Sequence, residues 1–218
     1  MNDAAQLIVL EHGLQQMGLR LPHDATTKLL AYVHLMQKWN QAYNLTAVRK
    51  VEKIIPVHIL DSLSLLPFIA DAATVFDVGT GAGLPGLPLA VALPSASFTL
   101  LDSQQKKINF VQQAVSLLQL PNVVCQHTRI EQMQISSPID VIVSRAFASL
   151  GDFVKLIVNI ADEQTKIVAM KGRQELVLAE QQQLPPWAEI IDIATVAVPD
   201  VDGERCLVFL KINKDKIK

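Results

Sequence analysis

The chain has 218 residues, half of them apolar and 18% charged, with a formal net charge of −2. That length allows one main domain with a small helical addition, and the composition excludes the low-hydrophobicity, high-charge pattern of a disordered segment. A near-neutral charge argues against indiscriminate attraction to nucleic acid over the whole surface and leaves room for a local basic patch.

Residues 1–70 read as a helical region. Asp3 and Glu11 interrupt the apolar positions near the start, so neither a signal peptide nor a spanning helix is expected there, and no other window reaches membrane length. Over residues 25–40, Leu29, Leu30, Val33, Met36 and Trp39 recur along one helical face behind Pro22, and Trp39 reads first as a core residue. A further helix is expected over residues 51–68, where Ile54, Ile55, Ile59, Leu63 and Leu66 keep helical spacing. Pro56 restricts its first turn and Pro67 lies near its end.

From residue 74 the texture changes to short apolar runs at 74–78, 97–101, 123–126, 141–144 and 167–170, separated by helix-length stretches. Such alternation builds a parallel, right-handed, two-sided α/β sheet with its ligand crevice beyond the carboxyl ends of the strands. Runs at 190–198 and 206–212 are joined by Pro199-Asp-Val-Asp-Gly203, which is too short for a helix, so an antiparallel strand closes the sheet. The expected fold is therefore a doubly wound, Rossmann-like sheet over residues 71–218, mostly parallel with an antiparallel C-terminal strand, preceded by the helices. Cys125 and Cys206 fall inside expected buried strands without ligand spacing to any histidine. No metal site or disulfide framework is expected, and a reducing cytoplasm fits.

The segment from Val75 through Asp77, Gly79, Gly81, Gly83 and Gly86 runs from a strand into a helix, where missing side chains permit positive φ and close approach of a ligand. Read from Gly81 it also satisfies the dinucleotide pattern, so an NAD-binding oxidoreductase stays open beside a methyltransferase. Asp77 places a carboxylate beside the loop, suited to the amino group of S-adenosylmethionine and repellent to a pyrophosphate. Asp102 ends the second strand, where it can accept both ribose hydroxyls of either ligand. After the third strand, Ile130 and Glu131 are candidates to meet an adenine ring and its amine, with a surface residue starting a helix as the other reading of Glu131. Arg145 and Lys171 put two cations where chemistry occurs in this topology.

Several motifs in order then make the chain resemble the bacterial 16S ribosomal RNA guanine-N7 methyltransferases, also called glucose-inhibited division protein B. They are Trp39-Asn40 with Tyr43-Asn-Leu-Thr46, His58-Ile-Leu-Asp-Ser62, the loop from Asp77, Leu101-Asp-Ser103, Ser144-Arg-Ala-Phe-Ala148, Lys171-Gly172 and Gly203-Glu-Arg-Cys-Leu207. The resemblance implies methyl transfer from S-adenosylmethionine, yielding S-adenosylhomocysteine, to one guanine of 16S ribosomal RNA or the small ribosomal subunit in the cytoplasm. It also implies cofactor contacts at Gly79, Leu84, Ile130, Glu131 and Arg145.

Guanine N7 already presents a lone pair, so no general base is required and positioning carries the catalytic work. Arg145 and Lys171 are the candidate substrate positioners, each weighed against a simple salt bridge. Lys38, Tyr43, Asn44, Arg49, Lys50 and Lys53 are candidates for RNA contact, against the reading of an ordinary solvated face. His58 and Asp61, three apart, read as a local pair or cap. A noncatalytic adenosine-nucleotide module that associates with RNA is a third alternative, and residues 146–152 are the expected position of an active-site cover.

Overall fold

A computed structural model describes residues 2–133, 135, 137–145 and 149–217. Helix α1 (Asp3–Gln16) starts where the Asn2 side chain accepts the Ala5 amide at 2.9 Å, and α2 (Ala25–Tyr43) ends at Asn44 with φ of 50°. The left-handed cap suits asparagine, whose short polar side chain tolerates that region. The helix expected over residues 51–68 is broken instead. A turn of α3 (Val51–Ile54) passes into a π-helical turn, Ile55–Leu60, then α4 (Asp61–Leu63) and, after a bend, α5 (Leu66–Ile69). Pro56 brings no amide to the ladder, and the Asp61 amide reaches back five residues to the Pro56 carbonyl, which widens the turn. Pro67 stands at the start of α5 rather than the end of a helix.

The α/β part follows as β1 (Thr74–Val78), α6 (Gly86–Ala92), β2 (Ser97–Asp102), α7 (Gln105–Leu118), β3 (Val123–His127), β4 (Val141–Arg145), α8 (Leu150–Ile157), β5 (Lys166–Lys171), α9 (Gln174–Gln181), β6 (Ala188–Thr195) and β7 (Cys206–Ile212). The strand order is β3-β2-β1-β4-β5-β7-β6, with β7 antiparallel to both neighbours and the other pairs parallel. The order reverses between β1 and β4, and a topological switch point opens its crevice there, at the carboxyl ends.

Strand periodicity sorts the core into two layers. Val141 and Val143 point to the face that carries α6, α7 and the N-terminal helices, while Ile142 points to the face covered by α8 and α9; Val168 and Met170 alternate with Ile167 and Ala169 in the same way. Leu29, Val33 and Met36 of α2 belong to the same apolar cluster as Leu87 and Phe110, so the helices are packed onto the sheet layer. Trp39 is half-buried against Phe110, and Cys125 lies on the edge strand β3, only half-buried, rather than inside a buried strand.

Gly86 shows how tight the first βα turn is: a Cβ there would lie 2.7 Å from Asp77 Oδ2 and 2.8 Å from Leu100 Cγ. Gly86→Ala is expected to cost about 2 kcal/mol, read as a fall of roughly 6 °C in melting temperature by differential scanning calorimetry. An unchanged transition would show that the turn has slack.

Candidate active site

The loop between β1 and α6 is fastened from within. The amides of Gly79 and Thr80 donate to the Leu101 carbonyl at 2.9 Å, Gly81 to Asp102 Oδ2 at 3.0 Å, and Gly83 and Leu84 to the Thr80 carbonyl at 2.9 Å. Gly79, Gly81 and Gly83 hold φ of 71°, 60° and 85°, where a side chain is strained. Asp77 is wholly buried beneath this loop. Its Oδ2 accepts Thr80 Oγ1 at 2.5 Å and the Gly86 amide at 2.9 Å, at the first turn of α6. Burial pushes its carboxyl up to about 6, against those two hydrogen bonds, and Oδ1 has no hydrogen-bond partner among the described residues.

This arrangement separates the two cofactor readings. A dinucleotide loop aims its amides and its helix N-terminus at a pyrophosphate. Here the amides are spent on the protein, and the anion position at the helix start is taken by the chain's own Asp77.

Three hollows border Arg145. The largest, 510 Å³, is lined by Gly79, Asp102, Ile130, Glu131 and Lys107 among others. A smaller one of 230 Å³ lies across Gly79, Gly81 and Leu84, facing Leu45 and Thr46. The third, 330 Å³, is lined by His58, Asp61, Lys171, Arg205 and the apolar Val57, Met170, Val196 and Leu207. Gly83 lines none of these; a Cβ there would strike Leu87 Cδ1 at 2.4 Å. Asp102 is nearly buried, its Oδ1 accepting the Gln104 amide at 2.9 Å and its Oδ2 lying 3.5 Å from Lys107 Nζ. Oδ1 keeps a lone pair free, and Ile130 supplies an apolar wall beside Glu131 on a 3₁₀ turn, so the lining fits an adenosyl ligand.

Arg145 is held by the N-terminal helices. Its Nη1 donates to the Val57 carbonyl at 3.0 Å and to Asp61 Oδ2 at 3.1 Å, and its Nη2 faces His58 Nδ1 at 3.3 Å. A guanidinium has only donors, so His58 Nδ1 accepts and Nε2 carries the ring proton, donating to Thr46 Oγ1 at 2.6 Å. Burial, then the charge of Arg145, pull the imidazole down to about 4. Asn40 fixes the Thr46 segment by accepting the Thr46 amide at 3.0 Å. Asp61 Oδ1 accepts Arg205 Nε at 3.1 Å. His58 and Asp61 thus serve Arg145 rather than one another, a link across more than eighty residues that helical spacing does not reveal.

Lys171 stands at the third hollow with its ammonium 3.0 Å from both Glu180 oxygens, and Glu180 Oε2 also accepts the Leu150 amide at 2.6 Å. Of the residues expected to meet RNA, Lys38 and Lys50 are exposed. Tyr43 is half exposed, with Lys106 Nζ 4.3 Å from its ring centre, and Arg49 Nη2 donates to Asn44 Oδ1 at 2.7 Å. Lys53 donates to Asp202 Oδ2 and the Asp200 carbonyl, both at 3.1 Å. Part of the expected cover, residues 146–148, lies outside the described residues. Lys106, Lys107 and Glu180 are not singled out by the sequence, and Arg205 stands there only within the Gly203–Leu207 motif, without a role; for the two lysines, adjacency to Asp102 is a usable signal.

Among solved structures, the fold is similar to an O-methyltransferase from Bacillus cereus in complex with SAH, with TM-score 0.58 and 14% identity, covering 84% of this chain and 91% of that one. It is also similar to a SAM-dependent methyltransferase from Aquifex aeolicus, with TM-score 0.55 and 17% identity over 73% and 93%. Sheet order, glycine loop and crevice together are those of the doubly wound α/β fold that these two methyltransferases share. The family model for rRNA small subunit methyltransferase G matches residues 25–206. Ribosomal RNA small subunit methyltransferase G of Methylobacillus flagellatus is 43% identical over 202 residues, 92% of this chain and 96% of the relative. Its counterpart in Escherichia coli K12 is 40% identical over 201 residues, 92% and 96%. The chain belongs to the rRNA small subunit methyltransferase G family.

The His58 geometry carries a pH dependence. Between pH 6.5 and about 4 the unfolded chain takes up a proton at His58 that the folded chain does not, so stability from this group is lost as pH falls through that window. Asp77, raised to about 6, works in the opposite sense between 3.8 and 6. Comparison with His58→Gln isolates the histidine: by urea denaturation the substitution should cost about 2 kcal/mol less at pH 4.5 than at pH 7. An equal cost at both pH values would mean that the buried imidazole is protonated.

Proposed function

We propose that this protein transfers a methyl group from S-adenosylmethionine to N7 of one guanine in 16S ribosomal RNA, as free RNA or in the small ribosomal subunit, in the cytoplasm. The observation that carries this reading is the crevice itself: a glycine loop with its anion position filled by Asp77, opening on Asp102, Ile130, Glu131 and Arg145. Among the described residues no helix is long and apolar enough to cross a membrane, and no group of three or more ligating side chains is placed to hold a metal ion.

When bound, S-adenosylmethionine supplies a methyl group activated by its sulfonium charge. Gly79, Gly81 and Leu84 form the bed for its amino-acid end, above Asp77, while Gly83 shapes the loop by packing on Leu87. Asp102 accepts the ribose hydroxyls, Ile130 packs on the adenine, and Glu131 accepts its amine. Arg145 borders this bed and the third hollow together, which suits it to orient the acceptor base by donating to an acceptor such as O6. Lys171, tethered by Glu180, joins it as a positioning cation at the same hollow. N7 keeps its lone pair free, so orientation is the main contribution asked of these side chains.

The helical region, residues 1–70, then has two duties. It braces Arg145 from within and offers Lys38, Tyr43, Asn44, Arg49, Lys50 and Lys53 to RNA from without, with Lys106 continuing that surface from α7.

The test incubates the protein with methyl-labelled S-adenosylmethionine and unmethylated small subunits and maps the label by mass spectrometry. One guanine labelled at N7 is expected. Asp102→Ala should weaken cofactor binding at least ~10-fold, and Arg145→Ala should lower turnover about 100-fold through lost orientation. Cofactor binding without RNA labelling would point to another methyl acceptor.

A further inference from the structure

Arg145 poses a problem of charge. On the reading just given, its guanidinium borders a cofactor with a positive sulfonium and a purine that gains positive charge during transfer, and a bare cation there opposes both. His58 offers no countercharge, because it is held neutral with Nδ1 turned to the guanidinium. Asp102 lies across the crevice, bonded to Gly81 and Gln104 and facing Lys107, and Glu180 is taken by Lys171. Asp61 is the carboxylate that faces Arg145 directly. Its side chain is 7% exposed, Oδ2 lies 3.1 Å from Arg145 Nη1, and Oδ1 lies 3.1 Å from Arg205 Nε. Two guanidinium groups thus share one buried carboxylate, leaving one excess positive charge where two would stand without it.

We infer that Asp61 is a positioning residue for methyl transfer, which fixes Arg145 at the junction of the hollows and sets the charge that the cofactor meets there. Arg205 is the second half of the device. It shares the carboxylate without bordering either part of the cofactor crevice, so its removal changes the charge of the cluster while leaving the Asp61 bond to Arg145 in place. The inference rests on the proposed use of S-adenosylmethionine, and it turns on the difference between that cofactor and its product. S-adenosylhomocysteine lacks the methyl group and the sulfonium charge. A general loosening of the fold weakens both ligands alike, whereas a change in cluster charge moves one against the other.

The cluster can be stepped in charge. Asp61→Asn adds one positive charge, Arg205→Gln removes one, and the double variant returns to the starting value. Dissociation constants for S-adenosylmethionine and S-adenosylhomocysteine are measured by isothermal titration calorimetry on all four proteins at low salt. The preference for S-adenosylmethionine over S-adenosylhomocysteine should fall about tenfold in Asp61→Asn, rise by a similar factor in Arg205→Gln, and return to within about threefold of the parent in the double variant. Equal weakening of both ligands in Asp61→Asn, with an unchanged ratio in Arg205→Gln, would overturn the inference. If Asp61→Asn fails to fold, Arg205→Gln decides alone, and an unchanged ratio there is the overturning result. Failure of the parent protein to bind either ligand would instead sink the proposed cofactor, so the two readings fail separately.

Discussion

A guanidinium set at the meeting point of three hollows has to be held and offset, and much of the molecule is arranged around that requirement. Arg145 takes its acceptors from one continuous helical stretch: the Val57 carbonyl, the His58 ring and the Asp61 carboxylate. Val57 and His58 lie four and three residues before Asp61, so all three fall on one side of the helical stretch that carries the π-helical turn. Thr46 fixes the far side of His58, Asn40 fixes Thr46, and Arg205, just ahead of the last strand, shares Asp61. Removing one partner of such a buried set leaves the other charged and unpaired, so the parts are tied to one another more strongly than any pair is worth alone.

The glycine loop is a second case in which chemistry is decided by what the protein keeps for itself. Asp77 and the Leu101 carbonyl occupy donors that a phosphate would otherwise use. The cost is a buried carboxyl lifted in pKa and an oxygen without a partner among the described residues. What is obtained is a loop whose donors at Gly79, Thr80, Gly81 and Gly86 are not left over for a pyrophosphate, although its letters also satisfy the pattern for one.

Strand alternation, the switch point and the closing antiparallel strand were legible in the sequence because the apolar runs at Val75, Phe98, Val141 and Ile167 are short, buried and separated by helix lengths. Asp102 and Ile130 were legible for the same reason, since strand ends aim them at one crevice. What was hidden depends on contacts distant in the chain. The single helix expected over residues 51–68 failed at Pro56, where the local pattern is helical and the ladder is not. The position of Asp77 under the loop follows from Gly86, whose lack of a side chain admits the carboxylate. The link from Asp61 to Arg205 spans 144 residues and has no periodic signature at all.

That last span has a meaning for synthesis. A chain emerging from its N-terminus carries Asp61 and the braces around it long before β7 exists, and β7 must thread between β5 and β6 to deliver Arg205. The charge cluster is therefore completed only when the sheet is closed by its most distant segment, a late and long-range event in folding. Until then Asp61 faces Arg145 alone, and the net charge beside the crevice takes its final value only when β7 is in place.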